Sequence, residues 1–237
     1  MTEYVFVEDT TLFDSSECGG VATQASKGRH FKVIIEHSCA AESSAVGSDA
    51  VQIRLCEDNY ECWLERLDNP TVCEPATTPY QKSALGEEEV FSRMPLVLQR
   101  VSDAGQKDNV YLWGGTLGPD LDCSGLMQWA FSGAGVWIPR DAYQQHEFTQ
   151  PVPIAEARCG DLLFFGDATK VDHVGMVTEV VDAAPPRLVY THSSGAKYGR
   201  NGIGRDVLEE GDDPVGAHYA RRFLSAGRVV RNVTEEP

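Results

Sequence analysis

The chain has 237 residues, 42% of them hydrophobic and 24% charged, which suits one large or two small soluble domains with a real core. With 36 acidic against 20 basic side chains the formal net charge is -16, which disfavours nucleic acid and an anionic membrane surface as partners. No run of about 18 apolar residues occurs, so no transmembrane helix is expected. The opening "MTEYVFVEDTTLF" is acidic where a signal peptide has a basic start, and the expectation is a cytoplasmic protein.

In chain order, the first eighty or so residues alternate short β-rich segments with turns: "EYVFV", "GRHFKVII", "AVQIRLC" and "CWLERL". A polar loop, "EHSCAAESSAVGSDA", separates the second from the third. Several short strands with turn signals predict a small barrel or sandwich. The segment "CEPATTPYQKSAL" has two prolines and little pattern, and reads as a linker. Helical spacing then begins, with Val90, Met94, Val97 and Val101 on one face. Pro95 lies inside that pattern, so a short helix, a break and a second helix with Pro95 in its first turn are expected. "CSGLMQWAFS" predicts another helix, stopped by Gly133 and Gly135, and "AYQQHEF" a short one capped by Asp141. Three β-like runs follow, "DLLFFG", "HVGMVTEVV" and "RLVYTHS", then a helical stretch "GAHYARRFLSAG" and a last strand "RVVRN". Helices first and strands later predict an α+β domain.

Seven cysteines occur, at positions 18, 39, 56, 62, 73, 123 and 159, an odd number with no CxxC pair. His37-Ser38-Cys39 has no second pair at ligand spacing, so neither a metal nor any other cofactor is expected. Isolated cysteines are usually small buried hydrophobes. Cys123 has a more informative context, "YLWGGTLGPDLDCSGLMQW". Asp122 is a good N-cap, which puts Cys123 in the first turn of a helix, where unpaired N–H groups and the helix dipole favour thiolate. Gly114, Gly115 and Gly118 would let the backbone pass close to a substrate. A nucleophile needs a base. His173 opens one predicted strand and His192 ends the next, so an antiparallel pairing sets them side by side. Cys123 as nucleophile, His173 as base and His192 as its orienting group form one reading. On spacing alone a buried cysteine with two surface histidines is an equally good one. His30, His37, His146 and His218 have no comparable setting.

Five stretches in order, "YLWGGTLGPDLDCSGLMQWAF", "GVWIPRDAYQQ", "CGDLLFF", "DHVGMVTEV" and "VYTHSSG", resemble the successive motifs of the NlpC-type cell-wall cysteine peptidases. The pieces "TLFDSSECGGVATQASKGRHFKVI" and "VQIRLCEDNYECWL" are similar to the bacterial SH3 domain that precedes the peptidase in some members. The two together resemble the γ-D-glutamyl-L-diamino acid endopeptidases that recycle cell-wall peptides. The expected division is residues 1–78 as an SH3-like β-barrel, 79–86 as linker and 87–237 as a papain-like α+β peptidase domain.

The resemblance implies Cys123 as nucleophile, His173 as base and His192 as the orienting polar residue, with the Cys123 N–H in an oxyanion hole. It also implies that Trp113 and Asp141 line the substrate pocket, that Asp122 and Ser124 flank the nucleophile there, and that Tyr60 of the SH3 domain closes one end. The implied substrate is a murein peptide, L-Ala-γ-D-Glu-diamino acid, with meso-diaminopimelate or Lys as the diamino acid. The sequence departs from the pattern at Cys159, where a Pro usually precedes "GDL", and at Ala142, in place of a common Ser. "DAAPPR" looks like a lengthened hairpin loop. A murein-peptide binding protein that has lost activity is the alternative, though the intact Cys123, His173 and His192 favour an enzyme. A transferase sharing the acyl-enzyme is a third reading.

Overall fold

Alternation organises the first part of the chain: in "VQIRL" the side chains of Val51, Ile53 and Leu55 are buried while Arg54 is exposed. The computed structural model describes residues 2–35, 50–181 and 187–234. His37, Cys39, nearly all of the expected polar loop and the "DAAPP" insertion lie outside the described residues. The chain divides into one unit of Met1–Ser83 with Thr234–Pro237 and a second of Ala84–Val233.

In the first unit seven strands, β1 (Glu3–Phe6), β2 (Thr10–Phe13), β3 (Val21–Ala25), β4 (His30–Ile35), β5 (Val51–Leu55), β6 (Glu61–Leu64) and β7 (Cys73–Pro75), form one sheet in the order β3-β2-β6-β5-β4-β1-β7. Every pairing is antiparallel. Phe6, Leu12, Phe31, Ile53, Leu55 and Leu64 supply its core. The start of "CEPATTPYQKSAL" is strand and not linker, because Glu74 and Pro75 pair with Val5 and Tyr4 of β1, inside the expected 1–78 domain. Pro75 is tolerated there since β7 is an edge strand.

The second unit begins with α1, one continuous helix over Glu87–Gly105, and the break expected at Pro95 does not occur. Proline removes one N–H bond, and here it sits on the exposed face, where water can satisfy the carbonyl left over. The buried stripe of Val90, Met94, Val97, Val101 and Ala104 runs past it uninterrupted and holds the two halves together. α2 (Cys123–Ser132) and α3 (Ala142–Phe148) follow as the sequence predicts.

The sheet of this unit contains β8 (Gln150–Val152), β9 (Leu162–Gly166), β10 (Val171–Val181), β11 (Arg187–Ser194), β12 (Gly202–Val207) and β13 (Phe223–Arg228), in the order β12-β11-β10-β9-β13-β8. The predicted C-terminal helix is shorter than expected: α4 covers only Pro214–Ala220. "FLSAGR" becomes β13 because it pairs with β9, so the last strand falls before "VVRN" rather than on it. β9 carries the buried run Leu162, Leu163, Phe164 and Phe165, covered on both faces. α2 lies against β10, with Leu126, Met127, Ala130 and Phe131 in the same core cluster as Val174 and Met176. That packing brings the first turn of α2 to the histidine strands. Among the described residues no helix is long and apolar enough to cross a membrane.

Candidate active site

The loop before α2 is built by glycines, two for their backbone conformation and one for close packing. Gly114 and Gly118 have φ of 80° and 68°, in the left-handed region that favours glycine. A Cβ on Gly115 would overlap the Asp120 carbonyl oxygen, so the close approach it permits is within the loop, not toward a substrate as the sequence suggested. Likewise a Cβ on Gly125 would overlap the Gly115 carbonyl, which explains the glycine after "DCS" as loop-to-helix packing. Ser193 Oγ of β11 donates to the Leu121 carbonyl at 2.6 Å and ties this loop to the sheet.

Asp122 caps α2 as expected, its Oδ1 accepting from the Gly125 N–H at 2.6 Å while Oδ2 accepts from the Gly114 N–H at 2.9 Å. The same carboxylate also takes a fork from Arg140, Nη2 to Oδ2 at 2.6 Å and Nη1 to Oδ1 at 3.2 Å. Arg140 Nη1 donates to Ser124 Oγ as well, at 2.9 Å. Arg140 is 2% exposed, so the guanidinium is a buried counter-charge that locks Asp122 and Ser124. The resemblance implies that these two residues flank the nucleophile in the pocket. Their side chains are engaged with Arg140 and the glycine loop, a role that "PRDA" carries in its arginine.

Cys123 opens α2 with its thiol receiving backbone hydrogen bonds from Val174, the neighbour of His173 on β10, and from Ser124. His173 and His192 stand side by side: His173 Nε2 and His192 Nδ1 are 2.7 Å apart, with the rings edge to face. The register Met176↔Thr191 sets Gly175 against His192. A Cβ on Gly175 would lie 2.8 Å from Tyr190 Cδ2 and 3.1 Å from His192 Cβ, so the glycine of "HVG" makes room for the second histidine. Gly175→Ala should therefore displace His192 and lower kcat by about 10²-fold, the usual cost of roughly an ångström of misplacement. A kcat within about 3-fold of wild type would show that the crowding is relieved elsewhere.

Three further residues complete the site, and the sequence reading missed all of them. Asp206 of β12 places Oδ2 2.7 Å from His192 Nε2. Arg200 in turn contacts Asp206 and Asp213. Tyr219 of α4 stacks on His173 with ring centroids 4.3 Å apart. Tyr219 had a weak signal, since "GAHYA" reads as a helix; Asp206 had none, because "NGIGRDV" does not read as a strand.

Burial dominates the electrostatics. It pushes the Cys123 thiol up to about 12, helped by the Asp122 carboxylate, against the opposing backbone donors and Arg140. Thiolate stabilisation at the helix N-terminus, expected from sequence, is therefore outweighed by desolvation at rest. Burial also lowers His173 well below the ordinary histidine value, with His192 adding to the effect. His192 is lowered by burial too, although Asp206 opposes the shift. For Asp206 burial acts upward, but hydrogen bonds from His192 and Arg200 overcome it and hold the carboxyl well below its usual range. At rest the site thus holds a neutral thiol, and an ionised carboxylate at the end of a row of two neutral imidazoles.

Of the remaining expected pocket residues, Trp113 is 72% exposed and offers its ring to solvent. Asp141 is the N-cap of α3, its N–H donating to Gln144 Oε1 at 3.0 Å. Tyr60 belongs to the first unit and is half-buried against that unit's apolar core. Among the described residues no group of His, Cys, Asp and Glu could hold a metal ion.

A cysteine opening a helix packed against a sheet that carries a hydrogen-bonded pair of histidines is the arrangement that thiol–imidazole chemistry requires. Residues 108–197 match the NlpC/P60 family and residues 12–68 match the bacterial dipeptidyl-peptidase Sh3 domain. The second unit thus carries an NlpC/P60 domain over residues 108–197, and the first a bacterial SH3 domain over residues 12–68. It is 38% identical over 105 residues, 41% of this chain and 30% of that protein, to the bifunctional muramidase/DL-endopeptidase CwlT of Bacillus subtilis. It is 44% identical over 69 residues, 28% of this chain and 23% of that protein, to the gamma-D-glutamyl-L-lysine dipeptidyl-peptidase of Bacillus subtilis. The chain thus spans less than a third of either relative. Among solved structures, the peptidoglycan hydrolase RipB of Mycobacterium tuberculosis is similar at 22% identity and a TM-score of 0.45, covering 62% of this chain and 69% of that one.

Proposed function

We propose that the protein hydrolyses the bond between γ-D-glutamate and the diamino acid in murein peptides that carry a free N-terminal L-alanine, as a step of cell-wall peptide recycling. The observation that carries this reading is a buried Cys123 bonded by the Val174 backbone of β10, next in sequence to the hydrogen-bonded His173–His192 pair, in a chain that resembles a gamma-D-glutamyl-L-lysine dipeptidyl-peptidase over 28% of its length. The match to a dipeptidyl-peptidase SH3 domain supports it independently.

In the proposed reaction Cys123 Sγ attacks the γ-carbonyl carbon of D-glutamate as its proton passes to His173 Nδ1, the ring nitrogen not engaged with His192. The oxyanion is held by the Cys123 N–H at the start of α2. Collapse breaks the C–N bond, and the diamino acid leaves with the proton from His173. Water then attacks the thioester, giving its proton to His173, and the dipeptide carboxylate departs as Cys123 regains its thiol. Neutral Cys123 and His173 at rest fit this sequence, in which the proton moves only as the bond forms.

Selectivity for a free amine is proposed to rest on the Asp141 carboxylate. A charge-assisted hydrogen bond is worth about 1.5–3 kcal/mol, so N-acetylation of the tripeptide should lower kcat/KM by about 10- to 100-fold. Mass spectrometry of products from the free tripeptide, its N-acetylated form and purified sacculi tests the reading. Equal rates on all three would overturn the substrate assignment. Discrimination that survives in Asp141→Ala would remove Asp141 from it.

A further inference from the structure

The row of hydrogen bonds continues beyond His192, and its end decides where every proton in it sits. We propose that Asp206, held by Arg200, is a positioning residue that fixes the tautomers of both histidines so that His173 presents an unprotonated Nδ1 to Cys123. This rests on the reading of Cys123 as nucleophile and His173 as base.

Which groups can donate fixes the direction of each bond in the row. Asp206 is 3% exposed, and its two oxygens face His192 Nε2 and the Arg200 guanidinium. A guanidinium has no acceptor, so it requires the carboxylate to accept. An ionised carboxylate has no donor either, so His192 Nε2 must carry the hydrogen across the 2.7 Å contact. A neutral imidazole has one N–H, which makes His192 Nδ1 the acceptor. His173 Nε2, 2.7 Å away, is then the donor, and its own Nδ1 is left with a lone pair. The opposite chain of tautomers would set a nitrogen lone pair against the Asp206 carboxylate. It would also put an N–H on His173 Nδ1, which could not take the proton of Cys123. Burial disfavours the charged form of both rings, which removes the doubly protonated imidazole as a way out.

Arg200 does more than neutralise. It bonds Asp206 and also Asp213, the N-cap residue of α4, and α4 carries the Tyr219 ring that stacks on His173. The carboxylate that sets the tautomer is thereby tied to the helix that sets the tilt of the base. Both constraints meet at His173.

Asp206→Asn separates this role from a packing role. Asparagine has nearly the same shape, and Arg200, an obligate donor, claims its carbonyl oxygen. The amide NH2 then faces His192 Nε2 and reverses the chain, so that both rings become Nδ1–H tautomers. We expect kcat on the free tripeptide to fall at least about 10²-fold with KM within about 3-fold, since an Asp→Asn change in a serine-protease triad costs about 10⁴ by the same route. Asp206→Ala, which imposes no tautomer, should lose less than Asp206→Asn; a purely structural carboxylate would give the reverse order.

Nitrogen-15 spectra of the full chain labelled at histidine read the tautomers without turnover. Wild type should show Nε2–H on both His173 and His192, and Asp206→Asn should show Nδ1–H on both. Nδ1–H on His173 in wild type would overturn the proposal whatever the variants do, as would an Asp206→Asn enzyme with wild-type kcat. A wild-type chain with both Nε2–H tautomers and no cleavage of the tripeptide would instead overturn the peptidase reading and leave the proton order standing.

Discussion

Cys123→Ala is expected to lower kcat about 10⁶-fold while leaving the thermal unfolding midpoint within a few degrees of wild type. Members of a nucleophile–base unit fail together, and loss of a serine-protease nucleophile alone costs about 2 × 10⁶ in kcat. The fold should tolerate the change because the α2 start is held by other atoms. Asp122 supplies the cap, Arg140 clamps Asp122, and Gly125 seats the helix on the loop. The deleted sulfur is small and takes its hydrogen bonds from backbone that is already fixed in β10 and α2. Rates on the tripeptide and circular-dichroism melts of wild type and variant check both halves. A variant retaining a tenth of the wild-type rate would mean that the thiol is not the attacking group. A collapsed melt would mean that it is part of the packing instead.

How far the site could be read from sequence depended on whether each residue's partner was local. The N-cap of α2 is three residues from the N–H it binds, and the cap, the helix and the position of Cys123 were all legible. The histidine pair was legible for a related reason: "HVGMV" and "VYTHS" have clear β patterns, and antiparallel pairing of neighbours is the default. Asp206 was not. It sits on an edge strand whose sequence, "GIGRDV", has two glycines and two charges, and β12 exists because β11 offers it a full row of partners. Arg140 stands within the "PRDA" motif, but its ion pair reaches back across the whole of α2 to Asp122, and no periodicity announces that a guanidinium will be buried.

Pro95 and Cys123 show the limits of local rules in another way. Proline breaks an isolated helix, yet five buried side chains on α1 hold the two sides in line. A helix N-terminus favours thiolate, yet enclosure between α2 and β10 costs the charge more than the terminus returns. In both cases a rule about a few residues was overruled by burial, which only the assembled tertiary structure determines.

Burial also fixes what should happen when the base is removed. His173→Ala should lose at least about 10⁴-fold in kcat at neutral pH, the upper end of the range for general-base catalysis. The reason is the thiol, pushed up to about 12, which leaves almost no thiolate at pH 7 without a base to take the proton. The variant's residual rate should therefore climb with pH, as free thiolate becomes available. Wild type should behave differently. Its base must be neutral, and His173 is lowered well below the ordinary histidine value of 6.5, so kcat/KM should stay level down through pH 6.5 and fall only in more acidic buffer. Stability should follow the same sign. The unfolded chain takes up protons on both histidines near pH 6.5 while the folded site refuses them, so stability is full above that pH and is lost below it. His192→Gln removes only the orienting group and should cost less than His173→Ala. Equal and small losses at the two positions would show that neither ring takes the proton from Cys123. An acid limb at or above pH 6.5 in wild type would mean that the imidazole is open to water in solution, and the enclosed general-base site would have to be given up.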